Sequence, residues 1–436
     1  MEKLLTYDII REHIESLFSN TKDKHGNPIE RIGIELETYP IQKNDAGHYT
    51  QVDTNVLFES LNEVIAGSED FSLIRTGGDN HATNFHFTSG NSIQFEPGGQ
   101  LELVLGPQDN IQDINVQLGK IKNILTQVSK LRGFEFRQQG MQQWIPENDI
   151  SLQLEGKHKR YLSMLDYFGE ISPYGKQMML QTCSMHVNLD IGNSEEIICK
   201  RLLLSNLLVP YVSAIFANSP YRHRGGLYKS YRTYLWQHLD NIRSGVLEIF
   251  KSKQLQPLQS IIEAYMEFVL EAPVIFRINN ADTLDSNSLS FRSWMESDKN
   301  APPPTIDDLG HHLTLLFPEV RVKGYLELRT PDCPPEGWEL PIVQFYTSLL
   351  YDEKNCDKAL SIICNDPIDF NTLMKASVDG LDTDLLYPVC YELMQLAELS
   401  VSDSSFLGRK EEVNDLHNFA ERFTYQRKTF SDLYLI

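Results

Sequence analysis

Two short stretches constrain the fold of this 436-residue chain more than any other feature: Gly324–Asp332, GYLELRTPD, and Thr182–Asp190, TCSMHVNLD. Both read as β-strands, because successive side chains in a strand point to opposite faces. Glu327 and Arg329 share one face, with Leu326 and Leu328 on the other. In the second stretch Ser184, His186, Asn188 and Asp190 line one face, and Cys183, Met185, Val187 and Leu189 line the other. That alternation is the signature of a half-buried strand. The polar face carries a carboxylate, an arginine, a histidine and an amide instead of a solvated mixture of Lys, Thr and Ser. A chain built on such strands forms a sheet that buries one face and presents ionisable groups on the other.

Further strands follow the same rule. In Arg31–Pro40, RIGIELETYP, the residues Ile32, Ile34 and Leu36 face one way, and Gly33, Glu35 and Glu37 the other. Strand rise places those two carboxylates about 7 Å apart. Standing alone, this strand reads equally well as a solvated polar face. In Ile93–Pro107, IQFEPGGQLELVLGP, one strand carries Glu96, the Pro97-Gly98-Gly99 break follows, and a second strand carries Gln100, Glu102 and Val104 on one face. The Thr76-Gly77-Gly78-Asp79-Asn80 stretch is weak evidence for a phosphate loop, since no helix and no Lys-Ser/Thr pair follow it, and a hairpin turn is the favoured reading. The segment from Arg222 to Arg243 is the densest basic region, holding Arg222, Arg224, Arg232 and Arg243. It reads either as a solvated loop or as a clamp for anionic groups, because the guanidinium fork matches carboxylate and phosphate geometry.

Helical periodicity is expected over residues 4–19, 54–66, 110–132 (ending at Gly133), 157–168 and 194–218. After Pro334-Pro335 the strand signal vanishes, and helices are expected near 339–351, 355–364, 385–399 and 408–429. The reading is an α+β protein: a sheet-and-helix domain over 1–338, with a helical portion over 339–436 packed on it.

Charge narrows the partners. Lys plus Arg number 39 against 60 Asp plus Glu, a net −21, which disfavours nucleic acid and anionic lipid. The N-terminal MEKLLTYDIIREHIESL lacks the basic start and cleavage site of a signal peptide, and no apolar run approaches the ~20 residues that span a bilayer. The six cysteines form no CxxC pair, so reduced thiols in the cytoplasm are expected. Small-molecule substrates are expected, with no nucleic acid and no membrane, on a monomer or homodimer.

Six residues then stand out: Glu35, Glu37, Glu96, Glu102, His186 and Glu327. So many carboxylates on one sheet face would repel unless cations sit among them. Oxygen ligands with a minor imidazole share suit Mg²⁺ or Mn²⁺ better than zinc or copper. Carboxylates beside arginines suit phosphoryl chemistry, in which metals bridge phosphates and arginine stabilises developing charge. With no P-loop present, a nucleotide would be held by metals and arginines on the sheet.

The chain resembles the glutamate–cysteine ligases of the plant and proteobacterial type, most closely those of the ergothioneine pathway. The resemblance is carried by IGIELE at Ile32–Glu37, FEPGGQLEL at Phe95–Leu103, TCSMHVNLD at Thr182–Asp190 and ANSP at Ala217–Pro220. It continues through Ser230-Tyr231-Arg232, Trp236, Asp240 and Arg243 to HHLTLLFPEVRVKGYLELRTPD at His311–Asp332. His186 stands where plant-type members usually carry Gln. The resemblance implies a glutamine-synthetase-like fold, a curved antiparallel sheet with surrounding helices that binds ATP and Mg²⁺ (or Mn²⁺). It implies γ-glutamyl phosphate formation from glutamate, followed by attack of the cysteine amine. It further implies metal ligation by Glu35, Glu37, Glu96, Glu102, His186 and Glu327. Nucleotide or substrate contacts would come from Asn188, Arg232, Arg243 and Arg329, with Arg329, Glu327 and Arg243 acting in the chemistry. Another amine acceptor on the same fold, a non-catalytic metal- or nucleotide-binding protein, and a metal-dependent hydrolase are the alternatives. The hydrolase would need no arginine-rich nucleotide clamp.

Overall fold

The period-2 segments assemble into one antiparallel sheet. It is seen in a computed structural model that describes residues 5–19, 29–67, 73–77, 84–154, 159–276, 289–296, 302–401 and 414–435. Its ten strands are β1 (Ile32–Lys43), β2 (Tyr49–Gln51), β3 (Leu73–Gly77), β4 (Asn84–Phe87), β5 (Ser92–Phe95), β6 (Leu101–Gln108), β7 (Glu135–Arg137), β8 (Met185–Asp190), β9 (Val320–Val322) and β10 (Tyr325–Leu328). The order is β9-β10-β8-β1-β6-β5-β4-β3, and β2 and β7 pair with the far half of β1. Of the expected glycine turn, Thr76 and Gly77 end β3, and residues 78–80 lie outside the described residues.

Register brings the polar positions together. Glu35 lies opposite His186 and Gly33 opposite Asn188 across β1 and β8. Glu37 lies opposite Glu102 across β1 and β6. Glu327 lies opposite Asn188 on one side and opposite Arg321 on the other. A one-residue slip would send each of these to the wrong face. The slip is opposed by the apolar positions between them: Ile32, Ile34, Leu36, Val187, Leu189, Leu103, Leu105, Leu326 and Leu328 are all buried. Burying each such side chain contributes roughly 1.5–3 kcal/mol, so the register is strongly specified.

Helices cover the apolar face. The helix Ile111–Arg132 packs on β6 and β1, and the helix Glu339–Leu350 packs on β8. The first is bounded as its sequence dictates. Asn110 caps it by accepting from the Asp113 amide, and Gly133 ends it with φ +75°, where a side chain would be strained. The C-terminal helices Glu339–Leu350, Glu353–Asn365, Tyr387–Val401 and Asn414–Arg422 share one continuous core with the sheet. The helix Phe370–Ala376, unforeseen in the sequence, joins them.

The single helix expected over 194–218 is two, Glu195–Leu207 and Val209–Ile215, bent by 48°. Pro210 sits in the first turn of the second, where its missing N–H does no harm but where it cannot continue the helix before it. Among the described residues no single helix is long and apolar enough to cross a membrane.

One buried histidine yields a prediction. His312 donates from Nε2 to the Val269 carbonyl at 2.8 Å, and its ring stacks on Phe291. Burial pushes its pKa down from 6.5 to about 3. Below pH 6.5 the unfolded chain therefore takes up a proton that the folded chain refuses. The stability is complete above pH 6.5 and is lost as pH falls toward 3. Between pH 7.5 and pH 5, urea unfolding of the wild type is expected to lose about 2 kcal/mol more than that of His312→Gln. Equal losses in the two proteins would remove His312 from the acid response.

Candidate active site

The carboxylate face has two poles. At one, Glu327 on β10 is surrounded by cations: Arg329 Nη1 at 3.0 Å, Lys323 Nζ at 3.1 Å and Arg321 Nε at 3.3 Å. The turn at Gly324, with φ +76°, returns the chain so that Arg321 and Lys323 reach the same carboxylate as Arg329. Burial alone would push the Glu327 carboxyl up, but the charges of Arg321, Arg329, His186 and Lys323 outweigh it and hold the group well below the usual carboxylate range. One negative charge against three positive ones leaves this pole a surplus that suits an anion.

The other pole is acidic. Glu102 is pushed well up, first by burial and then by Glu35, Glu96, Glu37 and Glu327. Glu96 is pushed up to about 7 by burial and by Glu37, with Arg160 and Arg329 opposing. These carboxylates crowd one another without enough positive charge between them. Such crowding is the electrostatic condition that a bound cation relieves.

Between the poles lies a hydrogen-bonded bridge. His186 Nδ1 meets Glu35 Oε2 at 2.8 Å, and His186 Nε2 meets Ser184 Oγ at 2.9 Å. Asn188 Nδ2 donates to Glu35 Oε1 at 3.0 Å. Burial pushes the Glu35 carboxyl up, but the bond from His186 prevails and its pKa is lowered. Asn188 Oδ1 is buried with no hydrogen-bond partner. Glu35, His186 and Glu327 each offer a ligand atom, and these atoms all lie within 4.8 Å of one another. The Ser184 amide donates to Glu37 Oε2, which fixes that carboxylate at the edge of the acidic pole.

Two of the expected anion-binding arginines are placed differently. Arg243 is fully buried. Its guanidinium pairs with Asp240 at 2.8 Å and donates to the carbonyls of Leu315 and Pro273, so it braces the scaffold and offers nothing to a ligand. Arg232 is 6% exposed and donates to the carbonyls of Thr330 at 2.9 Å and Arg329 at 3.0 Å. It borders the small cavity that holds Arg329, but its fork grips the backbone that carries that residue.

Asp332 organises this brace. Its Oδ2 accepts from the Asn218 amide at 2.8 Å, Ser219 Oγ at 2.7 Å and Ser230 Oγ at 3.1 Å, and Arg232 Nη1 lies 3.8 Å from Oδ1. The ANSP, SYR and RTPD segments thus meet at one buried carboxylate. A Cβ added at Gly140 would come within 2.6 Å of it, which explains the glycine. Replacing Asp332 by alanine leaves three buried donors and a guanidinium uncompensated. The expected loss is about 3–5 kcal/mol in urea unfolding, and an unchanged midpoint would show the hub to be dispensable.

Arg321, Lys323 and Arg160 were not singled out in the sequence. The first two were legible: the Lys323-Gly324 turn sets Arg321 opposite Glu327, and hairpin arithmetic finds that pair. Arg160 acts across the face from a helix, and no local pattern marks it.

Comparison with known proteins identifies the family. Residues 31–421 match the family described as glutamate–cysteine ligase family 2 (GCS2). The chloroplastic glutamate–cysteine ligase B of rice, Oryza sativa subsp. japonica, is 29% identical over 386 residues, covering 84% of this chain and 73% of that protein. The chloroplastic glutamate–cysteine ligase of Arabidopsis thaliana is 29% identical over 341 residues, covering 74% of this chain and 63% of its own length. The crystal structure of the Francisella tularensis glutamate–cysteine ligase in complex with AMP superposes with a TM-score of 0.50 at 14% identity, over 93% of this chain and 83% of that one. This last likeness bears on the fold, and it agrees with the α+β architecture of antiparallel sheet and surrounding helices. The match over residues 31–421 places the chain in glutamate–cysteine ligase family 2.

Proposed function

We propose that this protein is an ATP-dependent ligase that joins the γ-carboxylate of glutamate to the amine of cysteine through γ-glutamyl phosphate. The observation that carries the reading is the polarity of a single sheet face in a chain of this family. Three cations converge on Glu327 at one end, and crowded carboxylates stand at the other. Phosphoryl transfer needs positioning and charge neutralisation more than it needs a side-chain nucleophile, and this face supplies both.

The donor set fits a hard divalent cation such as Mg²⁺ or Mn²⁺. Glu35 and His186 would hold it together with the crowded Glu37, Glu96 and Glu102, while Glu327, paired with three cations, faces the anion. When bound, the divalent cation would neutralise and orient the nucleotide phosphates. A ring nitrogen of His186 would have to release Glu35 or Ser184 to take part.

The chain's own groups have defined tasks. Arg329, Arg321 and Lys323 receive the phosphoryl group as a γ-carboxylate oxygen of glutamate attacks the γ-phosphorus and the bond to ADP breaks. The amine nitrogen then attacks the acyl carbon, the carbon–oxygen bond breaks, and phosphate departs with the electron pair and takes up the proton that the nitrogen loses. Arg232 and Asp332 keep Arg329 in place throughout. Asn188 orients Glu35 from the neighbouring strand.

All six cysteines are free, and five of them are buried. This supports work in a reducing compartment such as the cytoplasm, and the resemblance to ergothioneine-pathway members supports a role in low-molecular-weight thiol synthesis. Purified protein with Mg²⁺, ATP and glutamate, given a panel of amines, tests the reading. Cysteine-dependent ADP release with a dipeptide of matching mass is expected. Turnover with another amine and none with cysteine would keep the chemistry and change the acceptor. Binding of Mg²⁺–ATP without any ADP release would overturn the enzymatic reading.

A further inference from the structure

The buried brace behind Arg329 does not end at Asp332. It runs on into the C-terminal residues 424–433, which lie beyond residues 31–421, the stretch that matches the family. Two anchors seat this segment. The Phe430 ring is fully buried, its centroid 5.0 Å from that of Phe423, 5.1 Å from that of Phe419 and 6.0 Å from that of Trp338. Asp432 supplies the second anchor. Its Oδ2 accepts from the Thr429 amide at 2.7 Å and from Thr429 Oγ1 at 3.1 Å, which closes the helical turn Phe430–Leu433. Its Oδ1 lies 2.9 Å from Lys229 Nζ.

Lys229 is buried, and a buried ammonium is tolerated only where it is paired. Its other partner is Asp382 Oδ1 at 2.8 Å, on a side chain that is 61% exposed, against 26% for Asp432. Asp432 is therefore the better shielded of the two and the less screened by water. The backbone of Lys229 carries the connection inward. Its carbonyl accepts from Ser431 Oγ at 2.5 Å and from the Ser219 amide at 3.1 Å. The Ser431 amide donates to the Ala217 carbonyl at 3.0 Å. The C-terminal segment thus holds the ANSP and KSYR stretches together. Ser219 Oγ in turn donates to Asp332 at 2.7 Å and accepts from the Arg232 amide at 3.0 Å, and Arg232 grips the carbonyls of Arg329 and Thr330. There is little slack in this assembly. At Gly380, with φ +62°, an added Cβ would lie 2.9 Å from Lys229 Cδ and 3.0 Å from Thr429 Cγ2.

We propose that Ser431 and Asp432 are positioning residues for the reaction, holding Arg329 in place against Glu327 through Lys229, Ser219 and Arg232. The inference rests on the ligase reading and adds to it a part of the chain far from the carboxylate face in sequence. The two residues act through this line of hydrogen bonds and not by contact with ATP or glutamate. Loosening the line lets the Arg329 backbone shift while its charge stays near the phosphates. Misplacing a group that acts in the transition state lowers turnover more than it lowers affinity.

The test uses the full-length protein and two variants. Asp432→Asn keeps an oxygen for the Thr429 bonds and removes the charge that faces Lys229. Ser431→Ala removes only the bond to the Lys229 carbonyl, and it carries the test should Asp432→Asn fail to fold. Amide hydrogen exchange, measured without ligands, reads local opening. In each variant, exchange over 217–232 and 328–333 rises about tenfold, and exchange in the remote helix Thr54–Ala66 is unchanged. With Mg²⁺, ATP, glutamate and cysteine, turnover of ADP release falls about tenfold, and the KM values for ATP and glutamate stay within about twofold. Exchange that is unchanged at 328–333, that rises only over 424–435, or that rises everywhere including Thr54–Ala66 would overturn the proposal. So would wild-type turnover in a variant whose exchange at 328–333 has risen. Faster exchange along 217–232 and 328–333, with no ADP released by the wild type under any condition, would keep the brace and overturn the ligase reading instead.

Discussion

Replacing Glu327 by glutamine is expected to lower the turnover of ADP release by about 10²–10³-fold, the range seen when one element of a preorganised electrostatic site is removed. The carboxylate is 1% exposed and lies within 3.3 Å of three cationic groups. Removing its charge leaves Arg321, Lys323 and Arg329 facing one another. They would be expected to separate and to lose the arrangement that receives a phosphoryl group. Glutamine keeps the shape and an accepting oxygen, so the fold should persist, with a lower melting temperature. Alanine is a poorer choice for this test. It strands three cations in a buried place, where breaking such a set costs about 3–5 kcal/mol, and lost activity could then reflect unfolding. Turnover of Glu327→Gln at the wild-type level, with an intact melting transition, would remove Glu327 from the chemistry.

The same residue shows what the sequence can carry. Its face and its strand follow from period-2 alternation; its register partner Asn188 does not, because a slip of two residues leaves every side chain on its own face. Glu35, Glu37, Glu102 and His186 were legible for the same reason. Their alternation with Ile34, Leu36, Leu101, Leu103, Met185 and Val187 is a local pattern, and the sheet preserves it. Glu96, expected on a strand, instead lies one residue past the end of β5 in the turn that Pro97-Gly98-Gly99 makes, its amide bonded to the Gln100 carbonyl. What alternation does not reveal is the charge on a neighbouring strand. Glu327 reads in sequence as a metal ligand among carboxylates, yet its nearest companions are cations from its own hairpin.

The arginines were the harder part for a physical reason. A guanidinium fork fits a phosphate, a carboxylate or a pair of backbone carbonyls equally well, and residue type does not say which. Arg243 proved to hold the carbonyls of Leu315 and Pro273, and Arg232 those of Thr330 and Arg329. The basic density of the 222–243 segment was a fair reading of composition, but two of its charges are spent inside the scaffold. The break at Leu208 was legible from Pro210 and was overridden by the apolar run around it. The helix Phe370–Ala376 is too short to show a period.

Arg329 is the arginine whose side chain stays on the reactive face, and Arg329→Lys is expected to be nearly as damaging as the loss of Glu327. In the wild type its guanidinium reaches Glu327 Oε2 at 3.0 Å while its backbone is held from both sides. The Glu319 carbonyl takes its amide proton, and Arg232 takes its carbonyl. That double hold means that a lysine at the same position would start from the same backbone site. The substitution therefore changes only the head group. Lysine offers a single mobile charge, whereas the planar fork can hold Glu327 and a phosphoryl oxygen together. Binding of ATP, which needs charge, should weaken only a few-fold. Turnover, which needs the second directed donor, should fall about 10²–10³-fold. A fall in affinity with turnover intact would mean that Arg329 only attracts the nucleotide, and the directed role would pass to Arg321, which lies opposite Glu327 on the neighbouring strand.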